Sequence, residues 1–253
     1  MIAIILAAGY ATRLRPLTEH MPKALLSVGS VTMLDRLMRG IASIPNLQRA
    51  CLVTNDRFYP QFVAWHRSAA ANYPRLTIDI LNDGTDSDQN KRGAVGDMQF
   101  TIEQLAIDDD ILVCASDNLF TFPLTDFVAD FQRTGKDTLL MSRVYDIDLL
   151  RRFAVATLDE SGRVTGLVEK PSDPPSNIGV YALYLYRKDT VPLIAQYLAE
   201  GNSPDAPGHF PEWLHTRKEV RGYLFQGECI DIGTPDVYYA TCARYEKGGD
   251  LHG

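Results

Sequence analysis

A short loop near the N-terminus combines small residues, a hydroxyl group and a fixed positive charge. The apolar run from Ile2 to Ala7 leads directly into Ala8-Gly9-Tyr10-Ala11-Thr12-Arg13, and Lys23 follows soon after. In α/β proteins a buried strand that ends in such a loop holds phosphate, because small residues let backbone N–H groups approach an anion closely. Arg13 and Lys23 add charge that backbone dipoles do not supply. The segment therefore predicts a phosphate site.

Two aspartates follow short apolar runs elsewhere in the chain. Asp117 stands in Cys-Ala-Ser-Asp-Asn and Asp231 in Cys-Ile-Asp-Ile-Gly. Ligands of open α/β sheets sit at the carboxyl ends of the strands. Two carboxylates that converge on a triphosphate would hold Mg²⁺, which prefers oxygen ligands and shares them with phosphate. Structural roles stay open, since Asp117 is also a turn former and Asp231 a cap for a helix that begins at Pro235.

The elements that position these residues follow from hydrophobic periodicity. Strands are predicted at 50–54, 76–81, 111–115, 138–142, 153–158, 163–169 and 178–186. Helices are predicted at 33–44, 59–72, 94–106, 191–198, 211–217 and from Pro235 to the end. Alternating strands and helices in the first half favour a mainly parallel sheet with right-handed crossovers. A hairpin and a return strand in the second half make the sheet mixed.

Bulk properties restrict the class of protein. The chain has 253 residues and a net charge of −7, which argues against nonspecific binding to nucleic acid or to anionic membranes. No stretch approaches the ~18 apolar residues of a membrane helix. The four cysteines show no metal-ligand spacing, and a reducing cytoplasm fits them best. We expect one domain over 1–253, with a nucleotide-binding half at about 1–120 and an acceptor-binding half at about 121–253.

The N-terminal motif resembles a known family signature. Residues 6–18 read L-A-A-G-Y-A-T-R-L-R-P-L-T, and Pro22-Lys23 follow. This is similar to L-A-A-G-x-G-[TS]-R-L-x-P-L-T, then P-K, of the sugar-1-phosphate nucleotidylyltransferases, such as glucose-1-phosphate thymidylyltransferase. Neither the P-loop pattern nor G-x-G-x-x-G is present. Ala11 replaces the family's second glycine, and its methyl group is expected to require a φ below zero or a small shift of the loop.

The resemblance implies a fold and a reaction. The fold is a Rossmann-like three-layer α/β sandwich with a mixed, mainly parallel central sheet. The reaction transfers NMP from an NTP to a sugar 1-phosphate, with Mg²⁺ held by Asp117 and Asp231 and with Arg13 and Lys23 as catalytic cations. Ser116 and Cys229 depart from the family's residues beside the two aspartates. The implied nucleotide-binding residues are Leu6, Ala8, Gly9, Tyr10, Ala11, Thr12 and Arg13 of the loop, together with Gly93. Asn82 and Asp83, at the end of a predicted strand, are the candidates to face the base, and a polar loop without a fixed partner is the alternative.

A second set of motifs implies the acceptor side. Leu167-Val-Glu169-Lys170-Pro171 matches the family's V-E-K-P, whose carboxylate reads sugar hydroxyls and whose lysine holds the sugar phosphate. Asn177-Ile-Gly179-Val-Tyr181 is similar to N-x-G-x-Y, which lines the sugar pocket, and Asn118 completes the expected set. Ala154 stands where many members have glycine, which narrows the space for a sugar.

Two alternatives remain open at this point. In the first alternative, the chain is a cytidylyltransferase for a non-sugar phosphate or phosphonate, which Ala154 and the polar loop at 85–92 favour. Otherwise it is an inactive regulatory subunit that binds nucleotide sugars, for which Ala11, Ser116 and Cys229 argue. The expected partners are an NTP and a phosphorylated small-molecule acceptor, with no nucleic acid and no membrane. A homo-oligomer is left open.

Overall fold

The computed structural model describes residues 1–248. The strands are β1 Ile2–Leu6, β2 Ser27–Val28, β3 Val31–Thr32, β4 Arg49–Thr54, β5 Thr77–Asn82, β6 Ile111–Ala115, β7 Asn118–Phe120, β8 Asp137–Arg143, β9 Ala154–Leu158, β10 Val164–Glu169, β11 Ile178–Tyr186, β12 Val220–Leu224 and β13 Cys229–Asp231. The α-helices are α1 Met33–Ser43, α2 Tyr59–Ala69, α3 Ala94–Gln104, α4 Leu124–Thr134, α5 Ile147–Leu150, α6 Val191–Ala199, α7 His209–Leu214 and α8 Pro235–Gly248.

The chain forms two compact units that are interleaved along the sequence. The N-terminal unit contains Ala3–Lys91, Ala115–Thr125 and the segment from Gly227 on. The central unit contains Met1–Ile2, Arg92–Cys114 and Asp126–Gln226. The predicted halves near residue 120 do not coincide with these units, because the chain crosses between them several times. That 1–253 is a single nucleotidyltransferase domain stays a prediction.

The N-terminal unit is built on β1, β4 and β5, which are neighbours in the sheet. β4 and β5 run parallel, with Val53 opposite Leu81. The apolar face of α1 is buried, and its first turn is capped by the Thr32 hydroxyl, which accepts a bond of 3.0 Å from the amide of Asp35. A separate antiparallel ribbon pairs β7 with β13. This unit carries the loop that follows β1.

The central unit is largely antiparallel. Strands lie in the order β10-β9-β11-β6, and β8 pairs with both β11 and β12. Glu169 of β10 lies opposite Ala154 of β9. α6 and α7 contribute a buried aromatic cluster, in which Phe210 contacts Tyr186, Tyr197 and Trp213 with ring centroids 5.2–5.9 Å apart. This packing fixes the start of α7 beside β10.

Most predicted elements are confirmed to within a few residues, and β6 and β11 have the predicted bounds. The alternation of strands and helices confirms the α/β class. The predicted helix at 211–217 is shifted, because α7 begins at His209 and ends at Leu214. α4, α5, β12 and the three-residue ribbon strands were not predicted. The part of the C-terminal helix prediction beyond 248 lies outside the described residues. None of the helices within 1–248 has the length and apolar character needed to cross a membrane.

Candidate active site

The loop after β1 is held by the ends of neighbouring strands. The Asn55 amide, just after β4, donates a bond of 2.8 Å to the carbonyl of Ala8, and its Oδ1 accepts from the amide of Phe58 at 3.0 Å. Thr54 Oγ1 donates to the carbonyl of Ala7 at 3.3 Å. Asn55 is fully buried, and the sequence analysis did not single it out. The one sequence feature that indicates a role for Asn55 is its place directly after an apolar strand. These hydrogen bonds fix the backbone of the loop to the end of β4.

Ala11 corrects one expectation. Its φ is 46° and its ψ is 42°, in the left-handed region, so of the two expected alternatives the φ below zero is wrong. The Thr18 hydroxyl donates to the carbonyl of Ala11 at 2.8 Å, and the amide of Leu14 donates to the same oxygen at 2.9 Å. The loop therefore keeps a glycine-like conformation at a residue with a side chain, held by two hydrogen bonds.

Replacing Ala11 with glycine is expected to stabilise the protein by roughly 0.5 kcal/mol. The left-handed conformation costs alanine about 1–2 kcal/mol, and the extra freedom of glycine in the unfolded chain offsets about 0.4–1 kcal/mol of that relief. Urea unfolding measures the change. Ala106→Gly is a matched control, since Ala106 also has a φ of 46°. A clear loss of stability in Ala11→Gly alone would show that the methyl group supports the loop.

The two predicted metal ligands share one cation. Lys23 Nζ lies 2.7 Å from Asp117 Oδ2 and 3.7 Å from Asp231 Oδ1. The β7–β13 ribbon produces this arrangement, because Asp231 pairs with Asn118, the neighbour of Asp117. The Lys23 side chain is 11 % exposed, whereas the Asp117 and Asp231 side chains are 32 % and 29 % exposed. The carboxylates therefore lie at the surface of a cleft with the ammonium group beneath them.

A cavity of about 220 Å³ joins this cluster to the loop. Its lining includes Leu6, Gly9, Ala11, Arg13, Lys23 and Asp117. The structure thus brings together both predicted catalytic cations, most of the predicted loop residues and one of the two aspartates. Arg13 and Lys23 give the wall of this cavity two positively charged residues.

The predicted base-side residues have structural partners within the N-terminal unit. Asn82 Nδ2 donates to Asp56 at 2.7 Å, and Asn82 Oδ1 accepts from the amide of Gly84 at 2.9 Å. Asp83 is buried, and its Oδ1 accepts from both the amide and the hydroxyl of Thr85 at 2.7 Å. Burial raises the pKa of Tyr10 above its ordinary value. These side chains shape the polar loop beside the Tyr10 ring.

Glu169 and Lys170 lie in the central unit. The Glu169 side chain is only 7 % exposed, and burial raises its pKa, which the charges of Lys170 and His209 counteract. Lys170 Nζ lies 3.4 Å from Glu169 Oε1. Lys170 has a φ of 47°, a conformation that is uncommon outside glycine and concentrated at functional sites. A buried carboxylate and an exposed ammonium thus stand side by side.

Comparisons with known proteins decide the family. Residues 2–248 match the family model described as nucleotidyl transferase. The chain belongs to the nucleotidyl transferase family. It is 28 % identical over 74 % of its length to the UTP–glucose-1-phosphate uridylyltransferase AglF of Haloferax volcanii, of which it covers 72 %. It is also 28 % identical over 74 % of its length to a glucose-1-phosphate thymidylyltransferase of Streptomyces antibioticus, of which it covers 49 %.

Solved structures of UDP-glucose pyrophosphorylases share the fold. One, complexed with UDP-glucose, matches with a TM-score of 0.80 at 19 % identity, covering 97 % of this chain and 98 % of that one. Another, from Acinetobacter baumanii, matches with a TM-score of 0.78 at 17 % identity, covering 99 % and 96 %. The predicted Rossmann-like fold of this nucleotidyl transferase family is therefore confirmed, and so is the resemblance of its N-terminal motif.

In this nucleotidyl transferase family member, the chemistry of Asp117 and Asp231 suits Mg²⁺ that is shared with substrate phosphates. Within 1–248, no group of three or more His, Cys, Asp or Glu side chains is placed to hold a metal ion. Asp117 and Asp231 supply hard oxygen ligands that already hold one cationic group, Lys23. Mg²⁺ is commonly bound by one or two carboxylates together with substrate phosphates. The pair thus suits an ion that arrives with a nucleotide.

Four further predicted residues have defined surroundings. Asn118 is buried in the ribbon opposite Asp231. Asn177 Oδ1 accepts from Arg143 at 3.2 Å, and Gly179 lies in β11 against Val144 and Phe153. Gly93, with a φ of 79°, packs against the 204–205 backbone, whose carbonyls accept from the first two amides of α3. The roles of these four residues in binding stay predictions.

Proposed function

We propose that this protein transfers a nucleotidyl group from an NTP to a sugar 1-phosphate and releases pyrophosphate. The observation that carries the proposal is the placement of Lys23 between Asp117 and Asp231 at a cavity lined by the loop after β1. The names of the relatives support the acceptor class, since both act on glucose 1-phosphate. Mg²⁺ dependence is part of the proposal.

The reaction joins two anions, so charge must be neutralised before they meet. An oxygen of the acceptor phosphate attacks the α-phosphorus, the bond to the bridging oxygen of the β-phosphate breaks, and pyrophosphate leaves with that electron pair. Arg13 and Lys23 hold the triphosphate and stabilise the charge that develops on its oxygens. Asp117 and Asp231 would hold Mg²⁺, which supplies further positive charge at the phosphates. Positioning and electrostatics supply the catalysis without a covalent enzyme intermediate.

The acceptor is proposed to bind to the central unit through Glu169 and Lys170. An ionised carboxylate accepts hydrogen bonds from neighbouring hydroxyls, and an ammonium group pairs with a phosphate dianion. Lys170 is 58 % exposed and Glu169 is 7 % exposed, so the lysine reaches solvent while the carboxylate is shielded. The exposed lysine suits the charged phosphate of the acceptor, and the shielded carboxylate suits hydrogen bonds to its hydroxyl groups away from water.

A pyrophosphate-release assay tests the proposal. The full chain is incubated with each NTP against a panel of sugar 1-phosphates and non-sugar phosphates, with and without Mg²⁺. Turnover with a sugar 1-phosphate and Mg²⁺ supports the proposal. Turnover only with CTP and a non-sugar phosphate would support the cytidylyltransferase alternative. Thermal stabilisation by nucleotide sugars without any pyrophosphate release would identify a regulatory subunit instead.

Lys170→Ala is expected to raise the acceptor KM by about 10- to 30-fold, because it removes a charge-assisted contact of about 1.5–2 kcal/mol with the phosphate. The KM for the NTP should change less than about threefold by the same reasoning. Initial rates with each substrate varied in turn measure both constants. Lys170→Arg keeps the charge and serves as the control. Equal increases in the two KM values would contradict the assignment of Lys170 to the acceptor.

We also propose a reducing, cytoplasmic location. The four cysteines, Cys51, Cys114, Cys229 and Cys242, are all free thiols. Burial raises the pKa of Cys51 to about 12, so its thiol stays protonated and unreactive. Free buried thiols are typical of reducing compartments. Cell fractionation checks the location.

A further inference from the structure

Gly208 leaves room for the carboxylate of Glu169. A Cβ atom at this position would overlap Glu169 Oε2 and would lie 2.9 Å from Glu169 Cδ. It would also lie 3.3 Å from the Cβ of Ala154. Glu169 and Ala154 are paired residues of β10 and β9, and the carboxylate occupies space that a side chain at position 208 would fill.

The backbone at Gly208 does not itself need glycine. Its φ is −76° and its ψ is −14°, a right-handed conformation that every L-residue adopts. Gly93, by contrast, has a positive φ as well as a steric constraint. At 208 the requirement is therefore steric alone, and the group that sets it is the carboxylate of Glu169.

The surroundings explain why the position of this carboxylate matters. Lys170 lies on one side of it, and the charges of His209 and Glu212 reach it from α7 with opposite effects. His209 Nδ1 lies 3.4 Å from Glu212 Oε2, so these two residues also contact each other. Moving the carboxylate would change its distance from Lys170 and from any hydroxyl bound beside it.

We propose that Gly208 is a positioning residue that fixes the carboxylate of Glu169 and thereby sets the affinity for the hydroxyl-bearing part of the acceptor. The inference rests on the proposed function, since it names a determinant of acceptor recognition for that reaction. Gly208 acts through Glu169 and makes no chemical contribution of its own.

Gly208→Ala tests the proposal. We expect the acceptor KM to rise at least about 10-fold, with kcat within about threefold and the KM for the NTP unchanged. The rescue variant is Glu169→Asp, whose carboxylate is drawn back by one methylene group. In that background, adding Gly208→Ala should change the acceptor KM by less than about twofold, which a double-mutant cycle measures as strong coupling. Gly40→Ala, where the nearest atom is a flexible Leu124 side-chain carbon at 3.3 Å, is the matched control.

Two results would overturn the inference while leaving the proposed function intact. One is an unchanged acceptor KM in Gly208→Ala. The other is an equal increase in the acceptor KM when Gly208→Ala is added to Glu169→Asp. The shorter aspartate does not conflict with a Cβ at position 208, so an equal increase would show that the effect does not act through the carboxylate. Thermal unfolding of the parent, the two single variants and the double variant checks the contact without turnover. Gly208→Ala should lower the unfolding midpoint of the parent protein and leave that of Glu169→Asp unchanged. If the parent protein releases no pyrophosphate with any sugar 1-phosphate, the proposed function fails and the acceptor role of Gly208 fails with it.

Discussion

Asp117→Asn is expected to lower kcat by about 1,000-fold while the fold survives. The substitution keeps the size of the side chain and removes the negative charge that binds Lys23 at 2.7 Å. With one carboxylate left, Mg²⁺ would be held by Asp231 and the substrate phosphates alone, and charge stabilisation of about 4 kcal/mol in the transition state is at stake. Pyrophosphate release as a function of Mg²⁺ concentration measures the loss.

A second aspartate of the same unit gives the comparison for Asp117→Asn. Asp79 pairs with Arg49 at 2.6 Å, and Asp79→Asn should leave turnover within about twofold because ion pairs near the surface contribute little. Circular dichroism and thermal unfolding confirm that both variants fold. Near-normal turnover in Asp117→Asn at low Mg²⁺ would show that the carboxylate is not a metal ligand.

Sequence patterns predicted the elements that have a strong local signal. β6 and β11 are uninterrupted apolar runs and were found with the observed bounds. α4 was missed although Phe127, Val128 and Phe131 recur at helical spacing and are buried. The β7–β13 ribbon has three residues in each strand and joins positions more than 100 residues apart, as in the pairing of Asp231 with Asn118. Short strands with a distant partner have no periodic signal, so this pairing comes from tertiary contacts alone.

The same limit applies within the candidate site. The motif resemblance identified Lys23, Asp117 and Asp231, and the structure places the two carboxylates 2.7 Å and 3.7 Å from the Lys23 ammonium group. It did not indicate Asn55, whose importance lies in a hydrogen bond to a loop carbonyl rather than in a motif. It also did not indicate Gly208, since a glycine with an ordinary φ is conspicuous only when the neighbouring carboxylate is known. Residues that act through space on a predicted residue need coordinates to be found.

Lys23→Met is expected to have opposite effects on turnover and on metal binding. Lys23 Nζ lies 2.7 Å and 3.7 Å from the two carboxylates, so its charge lies where the proposed Mg²⁺ would bind. Removing that charge leaves less positive charge beside two neighbouring carboxylates, and Mg²⁺ should bind to the protein alone about 10-fold more tightly. Turnover should fall at least about 100-fold, because the ammonium group no longer stabilises the triphosphate. Calorimetric titration with Mg²⁺ and the pyrophosphate assay measure the two effects.

Because turnover is expected to fall while Mg²⁺ affinity rises, the experiment distinguishes this role of Lys23 from two others. If Lys23 only supported the fold, its loss would lower turnover and weaken Mg²⁺ binding together. If Lys23 bound phosphate without competing with the ion, turnover would fall and Mg²⁺ affinity would stay constant. Lys91→Met, which removes an exposed partner 3.5 Å from Asp88, should change neither quantity. Tighter Mg²⁺ binding with lost turnover would therefore mean that Lys23 leaves the carboxylates for the phosphates when the metal–nucleotide complex arrives, so that one side chain serves the empty and the loaded cleft in turn.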